Sequence, residues 1–383
     1  MKSVGIICEY NPFHNGHLYH LNKVKEMFPN HPIIMVLGGH FQQRGEPSII
    51  NKWDKTKIAL EYGVDLVIEL PFAFATQSAD LFAKGSIQLL KNLNVSYLVF
   101  GSESNDIDKL VKLANIQLNN NDYDTLVKKY LDEGINYPTA LSKALSELDS
   151  TTVTTPNDIL GITYIREIIS QEANIIPYTI KRTNDYHSLE LDNDVVSASS
   201  IRKALKDNLE IKKYVPDMTY EYLQSDLHFL DDYYPLLKYK ILTSLGNLNV
   251  YQTVDEGIEN RISKYIVQSL SIDELIMKIK TKRYTYNKIR RMLTHIMCNF
   301  TKEEAKSMTD ICYIRVLGFT KLGRSYLNHN KKNISLPIIN KFEKNIPMLD
   351  LEMRATSVYA SILDEDKKRD LIEAEYKNKI IQK

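Results

Sequence analysis

In the first hundred residues, short and continuously apolar runs alternate with amphipathic stretches, and this rhythm narrows the possible folds more than any other property of the chain. Ser3 to Cys8, Ile33 to Leu37, Val64 to Leu70 and Tyr97 to Phe100 are strand-length runs of aliphatic or β-branched residues. Between them, Leu18 to Met27, Lys52 to Tyr62 and Ser78 to Leu90 have helical spacing. Strands that are apolar on both faces belong to a parallel sheet covered by helices on each side, with ligands held at the carboxyl ends of the strands. A Rossmann-like α/β fold is therefore expected. Asp106 to Leu148 turns helical and more polar, Asn157 to Ile169 reads as a helix, and Asn174 to Ile180 reads as another strand. The first domain is thus expected over residues 1–205. From Tyr220 to Thr301 and from Glu303 to Tyr326 the apolar residues recur at helical spacing. Residues 206–383 are expected to be mostly α-helical with no strand of comparable quality, ending in an exposed, fraying helix from Asp364 to Lys383.

With 383 residues, 43% of them hydrophobic, the chain can build more than one core. No stretch reaches the roughly 18 apolar residues of a membrane helix, and the first residues lack the apolar core of a signal peptide, so a cytoplasmic location is expected. Cys8, Cys298 and Cys312 have no CxxC spacing and read as buried free thiols. The net charge of +1 hides an asymmetry. Residues 1–200 hold 17 Lys and Arg against 24 Asp and Glu, a net of −7, whereas the remainder holds 32 against 24, a net of +8. A basic second half suits a polyanionic partner such as nucleic acid, although lysine-rich helix surfaces also occur without one.

The chemistry is concentrated directly after the first apolar run, in Cys8-Glu9-Tyr10-Asn11-Pro12-Phe13-His14-Asn15-Gly16-His17. A strand, an Asn-Pro turn and a His-Asn-Gly-His helix start put two imidazoles and a helix N-terminus at the carboxyl end of the sheet. Backbone N–H groups and the helix dipole favour a phosphate there, and Gly16 lets it approach the backbone closely. A metal pair is the alternative, but it would need a third ligand, and no HExxH arrangement is present. Far downstream, Val196-Ser197-Ala198-Ser199-Ser200-Ile201-Arg202 opens another amphipathic stretch. Taken alone it is an ordinary serine N-cap; it also has the makings of a second phosphate cradle, with hydroxyls, N–H groups and an arginine one turn in.

Taken together, His14-Asn15-Gly16-His17 and Ser197 to Arg202 resemble the paired HxGH and ISSTxIR signatures of the nucleotidyltransferase superfamily, with alanine and serine here at the second serine and threonine. Further segments narrow the resemblance to the bacterial tRNA(Met) cytidine acetate ligase family. These are Gly38 to Pro47, Gly63 to Phe72, Phe100 to Glu103, Pro156 to Gly161, Ile180 to Arg182, Thr281 to Thr285 and Arg315 to Phe319. His40 stands where family members often carry asparagine.

That resemblance implies an HxGH nucleotidyltransferase domain with a parallel sheet, followed by a mostly helical tRNA-binding region. It implies a reaction in which acetate and ATP give acetyl-adenylate and pyrophosphate, after which the acetyl group passes to N4 of the wobble cytidine of elongator tRNA(Met). Carried over by position, the ATP loop is Ile7, Cys8, Glu9, Tyr10, Asn11, Pro12, Phe13, His14, Asn15, Gly16, His17, Leu18, Tyr19 and His20, with Gly101, Asn157 and Arg182 as further contacts. Charge placement assigns His14 and His17 to the α-phosphate and departing pyrophosphate, and Arg202 with Ser199 to the β- and γ-phosphates. Magnesium is expected to accompany ATP, although no dedicated ligand for it is legible. Arg44 is a candidate anchor for a carboxylate or phosphate, or else a surface partner of Glu46. Lys52 and Lys57 are weaker candidates that a helix surface would ordinarily solvate. Lys278 to Tyr284 and Lys288 to Arg291 place many cations in about four helical turns with tyrosines between. Lys282, Arg283, Arg290 and Arg291 are the candidate tRNA contacts, the alternative being a solvated face. The rival function keeps the fold but joins AMP or CMP to a small phosphorylated metabolite.

Overall fold

A computed structural model describes residues 1–149, 153–182, 196–377 and 380–383. Five strands carry the expected rhythm: β1 (Val4–Cys8), β2 (Ile33–Gly38), β3 (Leu66–Leu70), β4 (Tyr97–Ser102) and β5 (Ile176–Lys181). They are parallel and lie in the order β5-β4-β1-β2-β3. The chain therefore builds outward from β1 in both directions, which opens a crevice beyond the carboxyl ends of β1 and β4, where an open α/β sheet binds its ligands. Helices α1 (Asn15–Met27) and α2 (Lys52–Glu61) follow β1 and β2. The polar stretch after β4 forms three helices, Ile107–Asn119, Asn121–Asp132 and Tyr137–Leu148, and the helix Pro156–Ser170 leads into β5. No helix among the described residues is long and apolar enough to cross a membrane.

The second region is largely helical, but it also contributes strands. Ile314–Phe319 is not part of a helix; it forms β6, which pairs antiparallel with β3 through a bulge at Val67/Ile68. Two short strands, β7 (Ile338–Ile339) and β8 (Ile381–Gln382), pair with β6 in turn. The signal was obscured by Arg315, a charged residue inside an apolar run, which reads as a solvent face. Its side chain is in fact buried, 2.6 Å from Glu375 and 3.4 Å from Glu69.

The end of the chain differs from expectation for the same reason. The helix Glu365–Tyr376 is not exposed all round: Leu371, Ala374 and Glu375 are buried. Lys52, expected in solvent, is completely buried 2.6 Å from Glu69 and 2.8 Å from Glu375. Lys57 does lie at the surface, 2.8 Å from Asp54. The four charges Lys52, Glu69, Arg315 and Glu375 thus form one closed network between β3, β6, α2 and the last helix. Each charge owes its place to the others, because an isolated buried ion costs several kcal/mol. Of the thiols, Cys298 is buried and Cys8 half-buried, but Cys312 is exposed, so the uniform burial expected of the cysteines does not hold.

Replacing Arg315 with leucine leaves two buried carboxylates facing one lysine, and is expected to lower unfolding stability by about 3 to 5 kcal/mol in a denaturant titration. A loss below about 1 kcal/mol would mean that the network is not closed in solution.

Candidate active site

β1 ends at Cys8, and the turn that follows contains a cis Asn11–Pro12 bond. Asn11 is buried and pins that turn to the next loop: its Oδ1 accepts from the Ile49 N–H at 2.6 Å. His14 is the N-cap of α1. Its Nδ1 accepts from the Gly16 N–H at 3.0 Å, and Nδ1 of His17 accepts from the His14 N–H at 3.3 Å. Each neutral ring is thereby left with its proton on Nε2, so the capping hydrogen bonds choose the tautomer that can donate to a ligand. The two rings lie 3.9 Å apart between centroids.

Burial, with help from the nearby Arg182 and Arg202 charges, depresses His14 to about 3. His17 is pushed down by burial, then by His14, Arg182 and His20, with the Pro12 carbonyl opposing. His20 falls to about 4 through burial and Arg182. All three imidazoles are neutral at physiological pH.

A single cavity of about 1110 Å³ opens above these residues, and Ser199 and Arg202 line it together with His14 and His17. The two helix starts singled out in the sequence, some 180 positions apart, therefore face one space. In the helix Ala198–Lys206, Ser197 takes the ordinary N-cap role, accepting from the Ser200 N–H at 3.1 Å, while Ser199 lies 3.4 Å from the Arg202 guanidinium. Arg202 donates to the Asn11 carbonyl at 2.7 Å and to Glu46 at 2.5 Å. Burial lowers it to about 10, against the pull of Glu9.

The remaining positions divide clearly. Ile7, Cys8, Glu9, Tyr10, Asn11, Gly16, Tyr19, His20, Gly101, Asn157 and Arg182 line the same cavity. Pro12, Phe13, Asn15 and Leu18 do not: Phe13 is buried and stacked on Tyr62, and Asn15 donates to the Lys213 carbonyl at 2.8 Å. Asn157 donates to Glu103 at 2.5 Å. Its neighbour Asp158 braces the loop after β4, accepting from the Glu103 and Ser104 N–H groups and from Thr155. A Cβ on Gly101 would meet the stem of Arg182 at 3.2 Å, so the missing side chain makes room for that arginine. His20 Nε2 and Arg182 Nε are buried with no hydrogen-bond partner.

The structure separates the basic patch of the second region into parts. The helix Ile272–Ile279 ends before Lys280, and a new helix, Tyr286–Met297, starts at the Thr285 N-cap. The cations between Lys278 and Arg291 therefore do not share one continuous helix, because Lys280 to Thr285 offers no apolar repeat to sustain one. Lys282 and Arg283 are exposed in the connecting turn. Arg283 reaches the Leu131 carbonyl at 3.4 Å and Glu256 at 3.6 Å, and it lines the cavity together with Arg291. Arg290 pairs with Glu46 and lies over the Tyr286 ring. Burial lowers Arg290 to about 9 and Arg291 to about 10, with Arg44 adding to both. Neither is a solvated face.

Arg44 lines the cavity near Glu9 and Arg202, while its expected surface partner Glu46 is engaged by Arg202 and Arg290. His40 points elsewhere: it stacks on Tyr359 at 4.5 Å, with Nδ1 3.1 Å from the Thr356 hydroxyl. Sequence reasoning passed over Glu46 and Lys55 as site-forming residues. Glu46 had a signal in its place beside Arg44 in a charged, glycine-containing loop; Lys55 looked like any helix-surface lysine.

A parallel sheet whose switch-point crevice carries a capped HxGH helix start and a facing Ser-Arg helix start defines a nucleotidyltransferase of the HxGH class. Residues 1–374 match the family described as HIGH Nucleotidyl Transferase. The chain is 41% identical to the tRNA(Met) cytidine acetate ligase of Geobacillus sp. (strain WCH70), over 98% of each chain. It is 38% identical to that of Bacillus subtilis (strain 168), over 95% of this chain and 93% of the relative. The crystal structure of Thermotoga maritima TmcAL superposes with a TM-score of 0.91 at 30% identity, and the form bound with alpha-thio ATP with 0.89, each over the whole of both chains. The chain belongs to the tRNA(Met) cytidine acetate ligase family.

The depressed imidazoles have a consequence for stability. The folded pKa of His14 lies below its ordinary 6.5, so the unfolded chain binds a proton first, and the stability present above that pH erodes as pH falls toward about 3. His14→Asn keeps a side-chain cap acceptor but does not titrate. Its melting temperature is expected to fall less steeply over that interval than the wild type's, and equal slopes would show that His14 is already protonated in the fold.

Proposed function

We propose that this chain activates acetate with ATP and transfers the acetyl group to N4 of the wobble cytidine of elongator tRNA(Met). The observation that carries the reading is the convergence of His14, His17, Ser199 and Arg202 on one cavity. The alpha-thio ATP bound to the Thermotoga maritima relative supports it.

In the first step an acetate oxygen attacks the α-phosphorus, the bond to the bridging oxygen of the β-phosphate breaks, and pyrophosphate departs. The Nε2–H groups of His14 and His17 donate to the α-phosphate oxygens as charge builds there. Being neutral, they hold their protons while Arg202, Arg182 and Ser199 take the charge of the leaving phosphates. Arg44 is placed to orient a second anion. In the next step the cytidine N4 attacks the acetyl carbon, AMP leaves and N4 loses a proton to water. Cytidine's amine is weakly basic, so the activated acyl group must be held at reacting distance. Magnesium would travel on the triphosphate. Among the described residues no group of three or more His, Cys, Asp or Glu side chains is placed to hold a metal ion, and no step here runs through one.

In this reading residues 1–205 carry the ATP and acetate chemistry, residues 206–383 present the tRNA, and the protein works in the cytoplasm. The exposed Lys282 and Arg283 are the outward-facing RNA contacts. The rival reading, transfer of AMP or CMP to a phosphorylated metabolite, gives no use to a large basic helical region.

Pyrophosphate release should depend on acetate and not on a panel of phosphorylated metabolites; the reverse pattern would favour the rival. His17→Ala is expected to abolish acetate-dependent ATP cleavage with little change in melting temperature, and a variant near full rate would refute the assigned role. Lys282→Ala is expected to weaken tRNA binding across sequences and to reduce the salt slope by about 1, while pyrophosphate release without tRNA continues. An unchanged slope would remove Lys282 from the RNA surface.

A further inference from the structure

Arg290 belongs to the helical region, yet its partner lies in the loop after β2. Glu46 uses both carboxylate oxygens: Oε2 accepts from Arg202 at 2.5 Å, and Oε1 pairs with Arg290. The three side chains are 16%, 16% and 11% exposed for Glu46, Arg202 and Arg290, so solvent does little to loosen the bridge.

The loop itself has little freedom. Its turn is closed by Gly45 N–H to Gln42 O at 2.9 Å and Gln42 N–H to Glu46 O at 2.8 Å. Gly45 has φ +73°, and a Cβ there would lie 2.3 Å from the Arg291 backbone nitrogen. Thr294 donates to the Gly45 carbonyl at 3.0 Å. The helix Tyr286–Met297 is therefore seated directly on the loop that holds Arg202.

We propose that Glu46 is a positioning residue through which the helix Tyr286–Met297 sets the Arg202 guanidinium for the triphosphate, so that ATP binding draws on the helical region before any tRNA arrives. This rests on the reading of the cavity as the ATP site. By charge alone, a carboxylate beside a polyanion site opposes binding. Against that, Arg202 has long rotatable bonds, and fixing it at Asn11, Ser199 and Glu46 removes the entropy cost of ordering it when ATP enters. The two effects predict opposite signs for the loss of the charge, which makes the proposal testable.

The test measures the Kd for ATP by calorimetry on the full chain without tRNA, alongside acetate-dependent pyrophosphate release. E46Q is expected to weaken ATP binding about tenfold, and R290Q to add less than about twofold to E46Q because both act through one carboxylate. ATP binding by E46Q equal to or tighter than wild type would overturn the proposal; so would an R290Q effect that appears in full in the E46Q background. If E46Q melts early, E46D retains the charge with a shorter reach: positioning predicts a loss there, and a pure charge role predicts wild-type affinity. A wild-type chain that binds ATP but releases no pyrophosphate with acetate would sink the acetate reading and leave this linkage to be judged on the Kd values.

Discussion

One buried ammonium holds the floor of the site in place. Lys55 reaches up from α2 and donates to three backbone carbonyls at the carboxyl end of the sheet: Gly38 at 2.7 Å, Gly39 at 2.9 Å and Glu9 at 3.0 Å. Those are the points where the chain leaves β1 and β2, and all three ammonium donors are used. Burial pushes Lys55 down to about 7, while Glu9 and Glu69 pull it back toward the charged form. From this brace the rest of the site follows. With the Glu9 backbone fixed, its carboxylate accepts from the Gln43 N–H at 2.6 Å, and Gln43 opens the loop that carries Arg44 and Glu46.

Two kinds of donor then share the cavity, with different tasks. The arginines supply charge, which falls off slowly with distance and gives little direction. The imidazoles supply direction: their rings are oriented by the cap of α1 and their protons are committed to Nε2. The two are coupled, because burial and the neighbouring arginine charges, Arg182 at both rings and Arg202 at His14, repel a third proton from His14 and His17. A ligand that brings negative charge would ease that repulsion and raise the imidazole pKa values, so binding and proton affinity are linked at this site.

The five parallel strands and the two helix starts that line the cavity were legible because their signals are local. A continuous apolar run such as Ile33 to Leu37 needs no partner to be recognised, and His14 to His17 announces a helix start in four residues. What stayed hidden was every feature made by pairing distant charges. Lys52, Lys55 and Arg315 look like surface residues when only their neighbours in sequence are considered. Their burial depends on Glu69 and Glu375, or on three carbonyls that converge only after the sheet forms. The burial of Arg290 and Arg291 is hidden for the same reason, since nothing near them in sequence points to Glu46, 244 positions before Arg290 and paired with it in the fold. Glu46, in sequence only one of the acids that Arg44 could meet at the surface, bridges Arg202 and Arg290.

The antiparallel strand β6 changes how the two regions relate. Without it β3 would be an edge, presenting unpaired N–H and C=O groups beside the active-site loops. With it, the sheet beneath the cavity is extended by residues more than 240 positions later, and the last helix contributes Glu375 to the charge network around Lys52. The same threading places Glu352 under the turn after β3, where it accepts from the Phe72 N–H at 2.7 Å. Burial and Glu69 push that carboxyl up to about 8. Packed interiors yield little to displacement. The strand ends above which the cavity opens are thus joined to the helical region through one continuous core.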